Sequence, residues 1–200
     1  MSAAAGADEP SGPFVFDTSA ESWLARSESA DVKAWFIGYA ARHPIFVSAI
    51  TVVERLNGYN LAIRKSDDEG RQRLLRQRRA SYVGDPMRVL PVDIAVAAAA
   101  AELMALVPDP PTPPKRSHQL SESRADRLAR WRFDTIVAAT ALVNRMPVLH
   151  NNPEDFESLR MALEIAPPDR LGGLGPLELY RCTRIGNVSA ARQRAAGGGS

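Results

Sequence analysis

Four acidic residues mark four separate turns of the chain: Asp17 in "FVFDTS", Glu54 in "TVVERLNG", Asp134 in "FDTIVAATAL" and Asp155 in "HNNPEDF". Brought together, their carboxylates repel, and their pKa values rise unless a cation lies between them. Mg2+ or Mn2+ suits such a set, because these ions take oxygen ligands, keep several waters and use few carboxylates beside a substrate phosphate. A site of that kind polarises a phosphodiester and makes a water nucleophilic near neutral pH. Zinc chemistry lacks its residues: Cys182 is the single cysteine, and His43, His118 and His150 are scattered.

Each acid also has a plainer reading. Asp17 fits a turn or a helix cap. "TVVE" has the form of a capping box, with Thr51 as N-cap and Glu54 reaching back from the first turn. Asp134 and Asp155 fit as caps of the helices that follow them. Independent caps have no reason to converge, whereas a metal site must. Convergence is the property that separates the two readings.

The elements that would position these acids alternate. "FVF", "PIFVSAI", "MRVLPVD" and "MPVLHNN" read as strands, "LEIAP" as a candidate fifth, and "LELYRCTRI" alternates as an edge strand does. Helical spacing runs through "ADVKAWFIGYAARH", "TVVERLNGYNLAIRK", residues 67–82, an Ala-rich segment beginning at Asp93, and "PEDFESLRMAL". "FDTIVAATALVNR" reads as a helix opened by Asp134, with Ile136, Val137, Thr140 and Ala141 as its buried stripe. Strands alternating with helices imply an α/β fold with a mostly parallel sheet covered on both faces. Ligands of such sheets bind beyond the carboxyl ends of the strands, where all four acids can project.

At 200 residues the chain fits one domain with a sizeable core. Residues 13–186 are expected to form it, between flexible tails at 1–12 and 187–200, with a proline-rich excursion at 108–123. A net charge of +2 does not announce a nucleic-acid partner. The basic residues are Arg except for Lys33, Lys65 and Lys115, a bias that suits bidentate phosphate contact but also follows from codon usage. No signal peptide is apparent, and the apolar run "IAVAAAAA" stops at Glu102, short of a membrane span. A soluble cytoplasmic protein is expected, with Cys182 as a small buried hydrophobe.

"FVFDTS", "VSAITVVERLNG", "FDTIVAATAL" and "HNNPEDF", in that order, resemble the four signature segments of PIN-domain ribonucleases. More narrowly they are similar to the VapC toxins of bacterial toxin–antitoxin pairs, over roughly residues 14–167. The resemblance implies a three-layer α/β/α sandwich around a sheet of four to five strands, and Mg2+- or Mn2+-dependent cleavage of RNA to a 5′-phosphate and a 3′-hydroxyl. It carries the acidic quartet onto Asp17, Glu54, Asp134 and Asp155, its polar companion onto Asn152, and its hydroxyl onto Thr18 or Ser19. In that scheme Asp17 and Asp155 hold the principal metal, and Asp134 binds it directly or through water. Glu54 orients or deprotonates the attacking water, or assists a second ion. A VapB-like antitoxin and a homodimer are the partners it implies.

This chain departs from the pattern in three places. His150 stands where many relatives have Thr or Ser, and both the proline-rich excursion and "LGPLELYRCTRI" exceed the compact toxins. A housekeeping RNA-processing nuclease and a catalytically silent RNA-binding module are therefore the alternative readings. No phosphate-binding glycine motif is present, and "DTS" lacks the second aspartate of an Asp-x-Asp phosphatase start.

Two basic clusters could follow an RNA backbone. Arg124, Arg127 and Arg130 share a face at i, i+3 spacing just ahead of Asp134, which suits phosphate contact. Arg71, Arg73, Arg76, Arg78 and Arg79 spread around their helix, as on a solvated surface. Trp131 reads as either a base-stacking platform or core.

Overall fold

The computed structural model describes residues 12–85, 87–111, 123–166 and 174–185. Residues 1–11 and 187–200 of the expected tails and most of the proline-rich excursion, with His118, lie outside these residues.

Five strands form one parallel sheet in the order β3-β2-β1-β4-β5: β1 (Val15–Phe16), β2 (Phe46–Ser48), β3 (Arg88–Leu90), β4 (Val148–His150) and β5 (Leu179–Arg181). β1 is central, with Val15 beside Phe46 and Val148, and Phe16 beside Val47 and Leu149. Its two residues suffice because both neighbours are buried.

Period-two alternation divides the core between the faces of the sheet. Val15 and Val148 turn to one side, where they meet α5 (Ile94–Leu106), α6 (Arg124–Asn144) and α7 (Pro153–Ile165) through Leu103, Trp131, Val137 and Phe156. Phe14, Phe16, Val47 and Leu149 turn to the other, against α1 (Thr18–Arg26) and α2 (Ala30–Arg42) through Ala20, Val32, Trp35 and Tyr39. The result is the expected three-layer α/β/α architecture. Truncating Trp131 or Phe156 to Ala is expected to cost about 3–5 kcal/mol.

The remaining helices, α3 (Ala49–Lys65) and α4 (Glu69–Val83), form a hairpin beside α1. α4 buries none of its residues, which fits its many arginines. Among the described residues, no helix is long and apolar enough to cross a membrane.

The structure corrects several local expectations. α1, which no sequence expectation included, begins immediately after β1, and Asp17 is its N-cap, in keeping with the plainer reading of that residue. α3 begins at Ala49 with Ser48 as N-cap, so "TVVE" is no capping box and Glu54 lies in the second turn. Ser48 wins because its hydroxyl sits at the end of β2, where it accepts from Ile50 N at 3.4 Å. α6 begins at Arg124, capped by Ser123, so Asp134 lies mid-helix and opens nothing. Of its expected stripe, Val137, Thr140 and Ala141 are buried and Ile136 only partly. "LEI" of "LEIAP" closes α7 instead of forming a strand, and the fifth strand comes from "LYR".

Candidate active site

The chain leaves β1 toward β2 on one side of the sheet and reaches β4 on the other, which opens a crevice at the carboxyl ends of β1 and β4. Asp17 follows β1 there, and Asn152 and Asp155 follow β4. α6 crosses behind with Asp134, and α3 brings Glu54 from the flank. Asp17 is 2% exposed, Asp134 and Asp155 each 8%, and Asp134 feels the charges of the other two, so three carboxyl groups are buried as neighbours.

Hydrogen bonds tie this group together. Asp17 Oδ1 accepts from Ala20 N at 2.6 Å, and its Oδ2 accepts from Ser19 Oγ at 2.7 Å. Ser19 Oγ in turn accepts from Asn151 N at 2.8 Å, which joins the β1 and β4 turns. Asn152 Nδ2 donates to Asp134 Oδ2 at 3.1 Å and also to Asp155 Oδ2. Thr18 Oγ1 donates to Glu54 Oε2 at 2.6 Å. Beneath them Ser48 and Thr140 share a 3.0 Å hydrogen bond that fixes the start of α3 against α6.

The electrostatics record the convergence. Burial pushes the Asp17 carboxyl up to about 7, against the pull of Ser19 and Ala20, and Glu54 adds repulsion. Asp134 is pushed well above the usual carboxylate range by burial first, then by the charges of Asp155, Asp17 and Glu54. Burial also raises Glu54, offset by Thr18 and by the charge of Arg130. The plain capping role of Asp17 is real, since it does cap α1. The same carboxylate also faces the other acids.

Among the described residues, no three His, Cys, Asp or Glu side chains are so placed that together they could hold a metal ion. Here the acids are satisfied by Asn152, Ser19 and Thr18, and Asp134 and Asp155 also meet each other. The donor set nevertheless fits a hard divalent cation, being all carboxylate oxygen and buried. A cation among these groups would reverse the burial cost that now raises Asp17 and Asp134.

The other expected residues scatter. Arg124 pairs with Asp109 at 3.3 Å, and Arg127 donates to Pro111 O at 2.7 Å, so both hold the chain that follows α5. Only Arg130 of these three acts on the acids, through Glu54. Trp131 is 1% exposed and donates to Val107 O at 3.0 Å; it is core and presents no face to a base. His150 is fully buried at the end of β4, its ring 4.9 Å from that of Phe156. Cys182 is buried as expected.

One acid escaped the sequence reading. Glu21 lies one turn beyond Asp17, accepts from Tyr82 Oη at 3.4 Å and faces Arg55 at 3.7 Å. Burial raises it to about 7, with Arg55 and Tyr82 working against the rise and Asp17 adding to it. Its i, i+4 relation to Asp17 on a helix was the available signal, and it required α1 to be recognised.

Solved structures share this fold. FitAcB from Neisseria gonorrhoeae aligns at 20% identity with a TM-score of 0.53, over 86% of this chain and 99% of that one. VapBC2 from Rickettsia felis, bound to a DNA fragment from its promoter, aligns at 11% identity and a TM-score of 0.52, over 84% and 97%. FitAB bound to the IR36 DNA fragment aligns at 19% identity and 0.51, over 85% and 95%. No curated protein matches the sequence. The family model for the PIN domain matches residues 14–160, from β1 and its terminal Asp17 through Asp155 on α7, and the chain therefore belongs to the PIN-domain family.

Proposed function

We infer that this protein is a divalent-metal-dependent ribonuclease and the toxin of a VapBC-type pair. One observation carries the nuclease reading: Asp17, Asp134 and Asp155, distant in sequence, are buried together at the carboxyl ends of β1 and β4 with Glu54 beside them. Burying like charges is costly, and without a cation to bind the arrangement has no evident return.

Asp17, Asp134 and Asp155 would hold Mg2+ or Mn2+, which would supply charge neutralisation at the phosphate and lower the pKa of water. Glu54 is the least buried of the four and stands at the mouth. Its carboxylate, oriented by Thr18 Oγ1, would accept a proton from the attacking water. Asn152 would keep Asp134 and Asp155 at a fixed separation, and Ser19 would keep Asp17 in register with the β4 turn. Arg130 brings positive charge to the rim near Glu54, where a substrate phosphate would arrive.

The toxin assignment rests on the similarity of the four segments to VapC toxins and on the fold shared with VapBC2 and FitAB. The partner would then be a VapB-like antitoxin. The test is RNA cleavage by protein stripped of metal and then given Mg2+ or Mn2+. Metal-dependent ends bearing 5′-phosphate, absent in Asp17→Asn, are expected; equal cleavage by Asp17→Asn or by metal-free protein would overturn the reading. Co-expression with a VapB-like antitoxin, sought as a small reading frame beside the gene, tests the toxin assignment separately, and the expected result is a stable, inactive complex.

A further inference from the structure

A groove of about 620 Å3 begins at Thr18 and Glu54 and runs between α1, α3 and α4. Its walls follow from helical spacing. On α1, Thr18, Ser22 and Arg26 recur at i, i+4, i+8, and on α3, Glu54, Gly58 and Ala62 do the same. Arg78 closes the α4 side. From Thr18 to Arg26 the helix rises about 12 Å, the length of about three stacked nucleotides at ~3.4 Å each.

Charge and aromatic surface are arranged along that length. Arg26 Nε donates to Ser22 O at 2.9 Å, which lays its guanidinium along the wall. Arg55 donates to Ser22 Oγ at 2.8 Å and leans 5.9 Å over the Tyr59 ring. Tyr59 is backed by Tyr82 at 6.3 Å. Arg55 is held by Glu21 at 3.7 Å and covers Tyr59, which leaves the exposed guanidinium groups of Arg26 and Arg78 to an incoming ligand, and the groove ends at an acid of the candidate active site. The apolar floor consists only of Ala25, Ala62 and Leu75, too little for an amphipathic peptide helix, which needs a row of large apolar anchors.

We propose that this groove seats the single-stranded RNA flanking the scissile phosphate, with Arg26 and Arg78 against the backbone. The proposal rests on the ribonuclease reading, deepens it, and moves substrate contact from Arg124 and Arg127 to the α1–α3–α4 face. Guanidinium groups suit phosphate oxygens whatever the base attached.

Gly58 supplies the test. A Cβ built there meets nothing within 4 Å, so a large side chain projects into the groove without displacing the helix. Leaving glycine also favours the helix, so Gly58→Trp should plug the groove in a folded protein. The probe is a fluorescent 12-nucleotide single-stranded RNA, titrated without divalent metal so that no cleavage occurs. Wild type is expected to bind, and Gly58→Trp to bind at least tenfold more weakly. In Arg26→Ala/Arg78→Ala the slope of log affinity against log salt should fall by about 1.4, two contacts at ~0.7 each for single strands. With metal restored, the preference of wild type for the 12-mer over a dinucleotide should drop at least tenfold in both variants. Unchanged affinity and salt slope, in variants of a wild type that cleaves RNA, would overturn the groove and leave the nuclease reading standing. A wild type that binds through the groove but cleaves nothing with Mg2+ or Mn2+ would instead overturn the nuclease reading. Loss of affinity for a glutamate decapeptide with RNA affinity intact would overturn the RNA assignment in favour of an acidic protein segment.

Discussion

Thr18 Oγ1 donates a 2.6 Å hydrogen bond to Glu54 Oε2, which joins the first turn of α1 to the second turn of α3 across the mouth of the acid cluster. The bond explains why a hydroxyl follows Asp17 directly. It fixes the acid that the proposed mechanism uses on water, while Asp17 itself faces inward.

Removing that hydroxyl should therefore cost rate more than stability. A hydrogen bond to a charged group contributes about 1.5–3 kcal/mol, so Thr18→Val is expected to lower kcat on RNA roughly tenfold or more. Thr18→Ser should restore most of it. Single-turnover kinetics with saturating Mg2+ would check both.

Glu54→Gln keeps the size of the side chain and an oxygen for Thr18 to bond, but removes the base. General-base loss typically costs 10²–10⁴-fold, so a fall of about 10²-fold or more in kcat is expected with RNA affinity preserved. Cleavage by Glu54→Gln at the wild-type rate would show that Glu54 acts on neither water nor metal.

Asn152 donates to both Asp134 and Asp155, so one amide serves two buried acids that also meet each other. Asn152→Ala should lower the thermal midpoint of metal-free protein by several degrees, because the two carboxyls lose the donor they share. Mn2+ should recover more of the midpoint in the variant than in wild type, because a ligand that binds only the folded state stabilises it. Differential scanning fluorimetry with and without Mn2+ measures the difference.

His150 sets a pH dependence of folding. Burial lowers its pKa to about 4, with the charge of Arg181 adding to the effect and the Asn152 backbone opposing it. In the unfolded chain it titrates near ~6.5. The folded state thus binds fewer protons between these values, and the neutral ring's contribution is full above ~6.5 and lost as pH falls toward 4. The loss is on the order of 3 kcal/mol. The difference in urea midpoint between wild type and His150→Leu, followed from pH 7 to 4.5, should shift against wild type as pH falls, because only wild type carries this term. The raised acids titrate in both proteins and cancel in the difference.

Much of the fold was legible because apolar runs and helical stripes are local signals. Phe14 to Phe16, the Ala-rich α5 and the buried stripe of α6 each declare themselves within a few residues. The misreadings arose where tertiary contacts outweigh local preference. Thr51 resembles an N-cap, but Ser48 at the strand end takes that place, and Thr51 is buried. Asp134 resembles a helix start, yet α6 extends ten residues ahead of it because Trp131 is needed in the core. "LEIAP" has strand composition, but "LEI" continues α7. At the site, residue types pointed to the acids. They could not reveal Glu21 or the Arg26–Tyr59–Arg78 groove, which depend on how α1, α3 and α4 meet.

If Asp17, Asp134 and Asp155 grip one divalent ion with Glu54 at its edge, anomalous diffraction from crystals soaked in Mn2+ will show it most directly. The expected result is a peak within about 2.5 Å of carboxylate oxygens from at least two of the three aspartates, absent in Asp17→Asn crystals. A peak elsewhere, or none at Mn2+ concentrations that support RNA cleavage, would contradict it.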